Sequence, residues 1–338
     1  MKFIAPDLSS IQEHIVGIRP YRTGGIRVER EQIGSKLIIH NYGHGGSGIT
    51  LSWGTVQDAL GLCKDQLNRI KQNGESIAIL GAGIIGLTTA YLLLQNGYQV
   101  RIYATQISPH TTSDVAAALW GPFGLDISQE PGAPERFDNW QKESFKQFKI
   151  FAENSDLFPG VSFITTYYCK TPGAYPHRNF LPDLIPPISV EHIDGKDFWV
   201  FQDLFIEIPV YMEFLHNQVA QLGAEIVPCI LDKQKIQQLP EQIIFNCTGL
   251  GSRELFDDSA LVPIRGQLVT VAQKNFPNIV LIQRYNDNQN IFTIIPRPSK
   301  KQCIIGVTYE FGVENYEIDF DVSKNLLDAA KAFFNGTL

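Results

Sequence analysis

Apolar residues along this chain repeat at two periods, and the points where one period gives way to the other mark its elements. From Ser76 to Thr105 an apolar run, Ile77 to Leu80, breaks at Gly81-Ala82-Gly83-Ile84-Ile85-Gly86. It resumes at helical spacing through Leu87, Ala90, Tyr91 and Leu94, then stops at Asn96-Gly97. Tyr98 to Tyr103 is a second short apolar stretch. The pattern predicts strand, tight turn, helix and strand, a βαβ unit with its glycines where strand becomes helix. Ahead of it, Lys36 to Asn41 reads as a strand and Ile49 to Ile70 as one helix, while Gly17-Ile18-Arg19-Pro20-Tyr21-Arg22 reads as a turn-flanked basic segment. Behind it, helices are expected over 138–155, Val210 to Leu222 and Lys324 to Phe334. Strands are expected at Phe163 to Cys169, Phe198 to Val200, Leu204 to Ile208, Glu225 to Pro228, Arg265 to Val271, Phe292 to Pro296 and Cys303 to Thr308, and Ile243 to Ser252 reads as a buried strand running into a glycine turn.

Strands alternating with helices at the two ends, and strands clustered between, give the fold class. It is α/β: a Rossmann-type domain carrying an inserted antiparallel-sheet substrate domain. The expected boundaries are 1–135 for the nucleotide-binding part, with a block at 15–72 and the βαβ unit at 76–105. The substrate domain takes 136–220 and 262–320, a strand return to the first domain takes 223–260, and a terminal helix takes 321–338.

The glycines carry candidate chemistry. Gly81 permits the turn, Gly83 lets backbone approach a pyrophosphate, and Gly86 lets the helix pack on the strand, with the helix N-terminus attracting the anion. A G-x-G-x-x-G alone also fits a structural turn; between a buried strand and an amphipathic helix it points to a dinucleotide. Four glycines in the six residues Gly43 to Gly48 are a second such feature, since each is entropically costly to order. Backbone this bare, ahead of a helix, suits a flat ligand and can aim N–H groups at negative charge. Small residues also dominate Ser108 to Pro122, as if a bulky group lay alongside.

Composition narrows the partners. In 338 residues with net charge −7 and scattered basic residues there is no footprint for nucleic acid or an anionic membrane. No apolar run approaches the roughly 18 residues that would span a bilayer, and no signal peptide or address tag is legible, so a cytoplasmic location is expected. The 5 cysteines are widely spaced, which fits reduced core thiols rather than disulfides or a metal site; no metal is expected.

Several segments together resemble the D-amino acid oxidase family of flavin enzymes. They are GAGIIG, TTSDVAAALWGPF, NCTGLGSREL, PIRGQLV, IIPRP followed by IIGVTYEFG, GIRPYR with IRVERE, and HNYGHGGSGITLSWG. Their order differs: in that family GIRPYR and HNYGHGGSG lie near the C-terminus, whereas here they precede the dinucleotide motif. The chain therefore reads as circularly permuted, by a natural or an engineered rearrangement, with the helix ending near Lys71 joined to the first Rossmann strand through Asn73-Gly74-Glu75.

The resemblance implies FAD, with its diphosphate at Gly81, Gly83, Ile84, Ile85 and Gly86. It implies further cofactor contacts from Thr111, Thr112, Ala117, Ala118, Leu119 and Thr248. Gly45, Gly46, Ser47, Gly48, Ile49 and Thr50 would face the flavin pyrimidine ring, with the positive end of the following helix aimed at it. The ribose is expected at Thr105 or backbone, because no Asp or Glu stands about 20 residues past the glycines. Arg19 matches the arginine that holds the substrate carboxylate, a role suited to a planar fork of donors. Gly46 matches the carbonyl that receives the substrate amine. Thr293 stands where the family has a carboxylate-binding tyrosine, and Tyr285 to Asn290 replaces a lid that normally carries another; Gly121 and Ser47 are further departures, which leave a wider or reshaped pocket.

The expected reaction is FAD-dependent oxidation of a D-amino acid by O2, giving an imino acid and H2O2, with a homodimer as one possible assembly. Alternatives are a same-fold oxidase of glycine, an N-methyl or cyclic amino acid or a biosynthetic amine, a flavin-binding protein without catalysis, and an NAD-dependent dehydrogenase. Arg284 reads chiefly as a surface arginine at the lid edge, with a pocket role favouring acidic side chains as the second reading. His44 and His40 are expected to be structural, and Trp53, Trp120, Trp140 and Trp199 to be packing residues.

Overall fold

The computed structural model describes residues 3–117, 119–125, 135–171, 175–176, 180–285 and 290–337. In chain order the first elements are β1 (Asp7–Arg22), β2 (Arg27–Ile33), β3 (Lys36–Tyr42), α1 (Gly48–Gly61), α2 (Lys64–Asn73), β4 (Ser76–Leu80), α3 (Ile84–Gln95) and β5 (Gln99–Ala104). They are followed by α4 (Glu135–Glu153), β6 (Val161–Cys169), β7 (Ser189–Ile193), β8 (Lys196–Ile206), α5 (Ile208–Gln221), β9 (Glu225–Pro228), α6 (Lys233–Gln238), β10 (Ile243–Asn246) and α7 (Ser252–Leu255). The last are β11 (Leu261–Ala272), β12 (Ile279–Tyr285), β13 (Asn290–Arg297), β14 (Gln302–Gly306), β15 (Glu310–Phe311) and α8 (Phe320–Phe334).

Two sheets organise these elements. The smaller has the order β2-β3-β10-β4-β5-β9 and is parallel except for its antiparallel edge strand β2. Its inner strands read as continuous apolar runs because helices and loops cover both faces, and Ile77, Ala78, Ile79, Leu80, Ile244 and Phe245 are fully buried. The larger sheet has the order β1-β11-β14-β13-β12-β6-β8-β7, with β15 added to β11, and is antiparallel apart from the β12–β6 pair. Helix α1 packs on α3 and α4. Trp53 on α1 is the wedge between them: its ring meets Phe151 edge-on at 5.2 Å, and its indole N–H donates to the Tyr211 hydroxyl at 3.1 Å.

The structure differs from the sequence expectations in four places. GIRPYR, read as a turn-flanked basic segment, is the C-terminal part of the sixteen-residue strand β1, so part of the block at 15–72 belongs to the larger sheet rather than the nucleotide-binding one. Its glycine and proline hid the strand; an edge strand tolerates proline, and Pro20 lies opposite Pro263, so neither partner lacks an expected donor. The single helix at 49–70 is two, because Cys63 leaves helical geometry and starts α2 after α1 has closed. The strands expected at Phe198 to Val200 and Leu204 to Ile208 are one strand, β8, which ends at Ile206 where Pro209 opens α5. Strands β2, β7, β12 and β15 and helices α6 and α7 were not anticipated.

Candidate functional site

One cavity of about 950 Å³ runs between the two sheets, toward the upper end of the roughly 300–1,000 Å³ usual for small-molecule sites. At one end lies the turn between β4 and α3. Gly81 has φ +98°, and a Cβ on it would sit 2.6 Å from the Cys247 carbonyl oxygen. A Cβ on Gly86 would lie 2.0 Å from the Gly81 oxygen, and one on Gly83 would lie 3.2 Å from Ser113 Oγ. No β-carbon fits at Gly81 or Gly86, one at Gly83 would press on Ser113 Oγ, and the space left open is the N-terminus of α3, where Ile84 and Ile85 line the cavity. The Ile84 N–H donates to Ser113 Oγ at 2.9 Å, so that hydroxyl holds the turn against the 111–115 segment. Thr111 caps that segment through reciprocal bonds with Asp114.

The glycine loop forms a second wall. Gly45 has φ +54°, and Gly48, Ile49 and Thr50 bring the first turn of α1 to the cavity, with no acidic residue in that turn to offset its positive end. Ser47 and Thr50 turn their hydroxyls away: Ser47 Oγ donates to the Phe123 carbonyl at 2.6 Å, and Thr50 Oγ1 to that of Gly121 at 2.8 Å. Trp120 donates its indole N–H to the Thr50 carbonyl at 3.1 Å. These bonds lock the loop at 120–123 over the glycines. Ala117 and Leu119 line the same cavity; Ala118 falls outside the described residues, as do 286–289 of the expected lid.

Beneath the cavity floor runs a buried polar relay. Thr248 Oγ1 donates to Asn246 Oδ1 at 2.8 Å, and the Asn246 amide donates to His40 Nδ1 at 3.0 Å. The other His40 nitrogen must then carry the proton it shares with Glu31 at 2.9 Å. Burial, helped by Arg27, pushes His40 down to about 4, so it is neutral. His44 is fully buried, meets Thr55 Oγ1 at 3.2 Å and is pushed down to about 3 by burial. Both histidines are framework. At the rim, Thr105 is exposed and donates to the Cys229 carbonyl at 3.2 Å; Thr112 is also exposed there.

At the far end the larger sheet supplies the side chains. Arg19, on β1, is half-buried, and burial pushes its guanidinium below its ordinary value, though an arginine stays charged. One N–H group, on Nη1, donates to the Thr308 carbonyl at 3.1 Å. Arg19 Cδ would lie 3.7 Å from a Cβ on Gly46, so the two sequence-predicted substrate residues are brought together. Thr293 lines the cavity, but its hydroxyl donates to the Gly306 carbonyl at 2.6 Å. The hydroxyl that stands in place of the family's tyrosine is thus engaged with backbone across the β13–β14 register. Arg284 is no mere surface charge; it lines the cavity and donates from Nε to the Tyr168 hydroxyl at 2.7 Å.

Sequence reasoning missed three residues here. Gly266 and Tyr309 both touch Arg19 and both sit inside quoted motifs, RGQLV and IIGVTYEFG, yet neither residue type signalled the contact. Asp203 on β8 lines the cavity, and burial pushes its carboxyl up to about 7.

Glycine cradles that no Cβ could share, two helix N-termini opening on one cavity, and a long apolar-walled channel fit an extended dinucleotide with a flat ring system. Known proteins agree. Residues 76–338 match the family described as DAO, FAD dependent oxidoreductase. A D-amino-acid oxidase of Dictyostelium discoideum is 29% identical over 230 residues, covering 66% of this chain and 63% of that protein. A D-amino-acid oxidase of Streptomyces coelicolor is 28% identical over 261 residues, covering 75% of each. Among solved structures, glycine oxidase from Bacillus cereus superposes with a TM-score of 0.57 at 16% identity, covering 75% of this chain and 78% of that one. The cavity and the match over most of its length lead to the same place: the chain belongs to the DAO family of FAD-dependent oxidoreductases and takes FAD as its cofactor.

Proposed function

We propose that the protein oxidises a D-amino acid at its α-carbon, with O2 as final acceptor, the imino acid as product and H2O2 as by-product. The observation that carries this reading is Arg19, a half-buried cation facing the cavity beside Gly46. FAD, when bound along Gly81, Gly83 and the glycine loop, supplies the acceptor for the hydrogen and electron pair that leave the α-carbon. The protein's own work is alignment. Arg19 keeps donors free beyond the one given to Thr308, and a carboxylate bound there fixes the α-carbon in the cavity. The first turn of α1 places its positive end where negative charge develops. His44 and His40, both neutral and both bonded to the framework, hold no proton for the reaction.

Relatives named as D-amino-acid oxidases support the handedness. A second reading keeps the reaction and changes the substrate to glycine or an N-methylated or cyclic amino acid. The diverted hydroxyl of Thr293 and the absence of a side chain at Gly121 favour it.

The circular permutation belongs to the same proposal. The family match begins at residue 76, yet the 75 residues before it complete both sheets: β3 sits between β2 and β10, and β1 pairs with β11. The segments that the family order would make continuous also meet in space, since the Phe3 ring lies 6.4 Å from that of Phe333 on α8.

Replacing Arg19 with alanine tests the reading. It should cost about 2–5 kcal/mol of substrate binding, seen as a fall in kcat/KM, with FAD still bound. An Arg19→Ala enzyme with the parent's kcat/KM would remove the carboxylate assignment.

A further inference from the structure

The Arg19 guanidinium is held between β11 and the residue that precedes β15. A Cβ on Gly266 of β11 would lie 2.3 Å from Nη1, 2.6 Å from Nη2 and 2.7 Å from Cζ, so backbone packs against the Nη1/Nη2 end of the fork at a distance that only glycine permits. The Tyr309 ring covers the guanidinium with its centroid 4.3 Å from Cζ. The ring and the Gly266 backbone together limit how the fork can swing, while Nη1 donates to the Thr308 carbonyl and the side chain lines the cavity.

Tyr309 is not a loose surface ring. Thr308 before it donates its N–H to the Gln267 carbonyl at 3.2 Å and accepts the Gln267 N–H on Oγ1 at 2.9 Å. Glu310 after it pairs with Arg265 through the β11–β15 register and a 2.5 Å ion pair. Gly312 then donates to the Pro263 carbonyl at 2.8 Å, and Phe311 packs edge-on against Tyr21. The backbone is thus pinned on both flanks, while the ring itself, 46% exposed, stands between Arg19 and solvent at the cavity wall.

We propose that Tyr309 is a positioning residue of the carboxylate site. Its ring packs on the Arg19 guanidinium, limits its swing and screens the arginine–carboxylate pair from water. The proposal rests on the reading of Arg19 as carboxylate anchor. A cation–π contact of this kind strengthens as it is desolvated, and a bound carboxylate completes that desolvation.

The test uses the FAD-loaded enzyme and acetate, a bare carboxylate that reads this subsite alone, followed by the change it makes in the flavin absorption. Tyr309→Ala and Tyr309→Leu should each weaken acetate by about five- to thirtyfold and raise KM by a similar factor, with a smaller fall in kcat. Tyr309→Phe and Tyr309→Trp should restore most of that affinity, since the ring and not the hydroxyl makes the contact. Flavin content and Tm check that each variant is folded. The proposal is overturned if Tyr309→Leu binds acetate as tightly as the parent, or if Tyr309→Phe binds it as weakly as Tyr309→Leu. Arg19→Ala separates the two ideas: unchanged acetate affinity there sinks the carboxylate reading itself, whereas lost affinity there with parental affinity in Tyr309→Leu sinks only the role of the ring.

Discussion

Gly266 shows how one missing side chain can set a binding site. It lies within a strand, at an ordinary backbone conformation, where a β-carbon costs the strand itself nothing; what forbids one is the guanidinium 2.3 Å away. Gly266→Ala should therefore leave FAD in place and expel Arg19 from its plane, lowering kcat/KM about as much as losing the arginine, by roughly 2–5 kcal/mol. Steady-state kinetics beside flavin absorbance would show it, and an alanine variant as efficient as the parent would contradict the packing. Asp203 carries a prediction of opposite character. Its folded carboxyl titrates near 7 against an unfolded value near 3.8, because burial disfavours the charge. As pH rises between those values the unfolded chain releases a proton that the folded chain keeps, so stability falls across that window and levels off above it. Asp203→Asn should match the parent at acid pH and exceed it at pH 8, measured as Tm against pH; a variant less stable than the parent at pH 8 would contradict this. The legible residues were those whose type declares the chemistry. Arg19 and the glycines of the turn could be named from the motif, but the proton of Thr293 could not be directed nor the ring of Tyr309 placed, because both depend on strand registers set far along the chain.

Elements were legible in proportion to how local their causes are. The βαβ unit is specified within thirty residues, and its strands and helix fall as the periodicity predicts, at Ser76–Leu80, Ile84–Gln95 and Gln99–Ala104. β1 was not legible as a strand because its proline and glycine mask the pattern, while its strand character comes from β11, some 250 residues away. The seat of α1 against α4 likewise rests on a contact no local pattern reveals: a Cβ on Gly54 would lie 2.2 Å from the Trp140 carbonyl oxygen, and the Gly54 N–H donates to Ser144 Oγ at 2.8 Å. In isolation alanine would favour that helix. Here Gly54→Ala should push the helices apart and destabilise the fold by about 1–3 kcal/mol, read from urea denaturation. A stabilised variant would show that helix propensity outweighs the contact.

The whole molecule is two sheets that share one cavity. The smaller brings glycines and helix ends to it, and the larger brings Arg19, Thr293, Tyr168, Arg284 and Asp203. The 75 residues ahead of the dinucleotide turn contribute to both, which is the basis for proposing a permuted order. A chain that begins at Ser76 and continues from residue 338 into residues 1–75 should fold and bind FAD as the present order does; a rejoined chain that expresses folded but colourless would contradict the permutation. The central claim, oxidation of a D-amino acid anchored by Arg19, is tested most directly by the visible spectrum of the purified protein under argon. The flavin bands are followed on adding D-amino acids, their L-enantiomers, glycine and sarcosine to the parent and to Arg19→Ala. D-amino acids should bleach the flavin bands, the L-enantiomers should leave them untouched, and bleaching should be far weaker in the variant at the same concentrations. Bands that L-enantiomers bleach equally well, or that no amino acid in the panel bleaches, would contradict it.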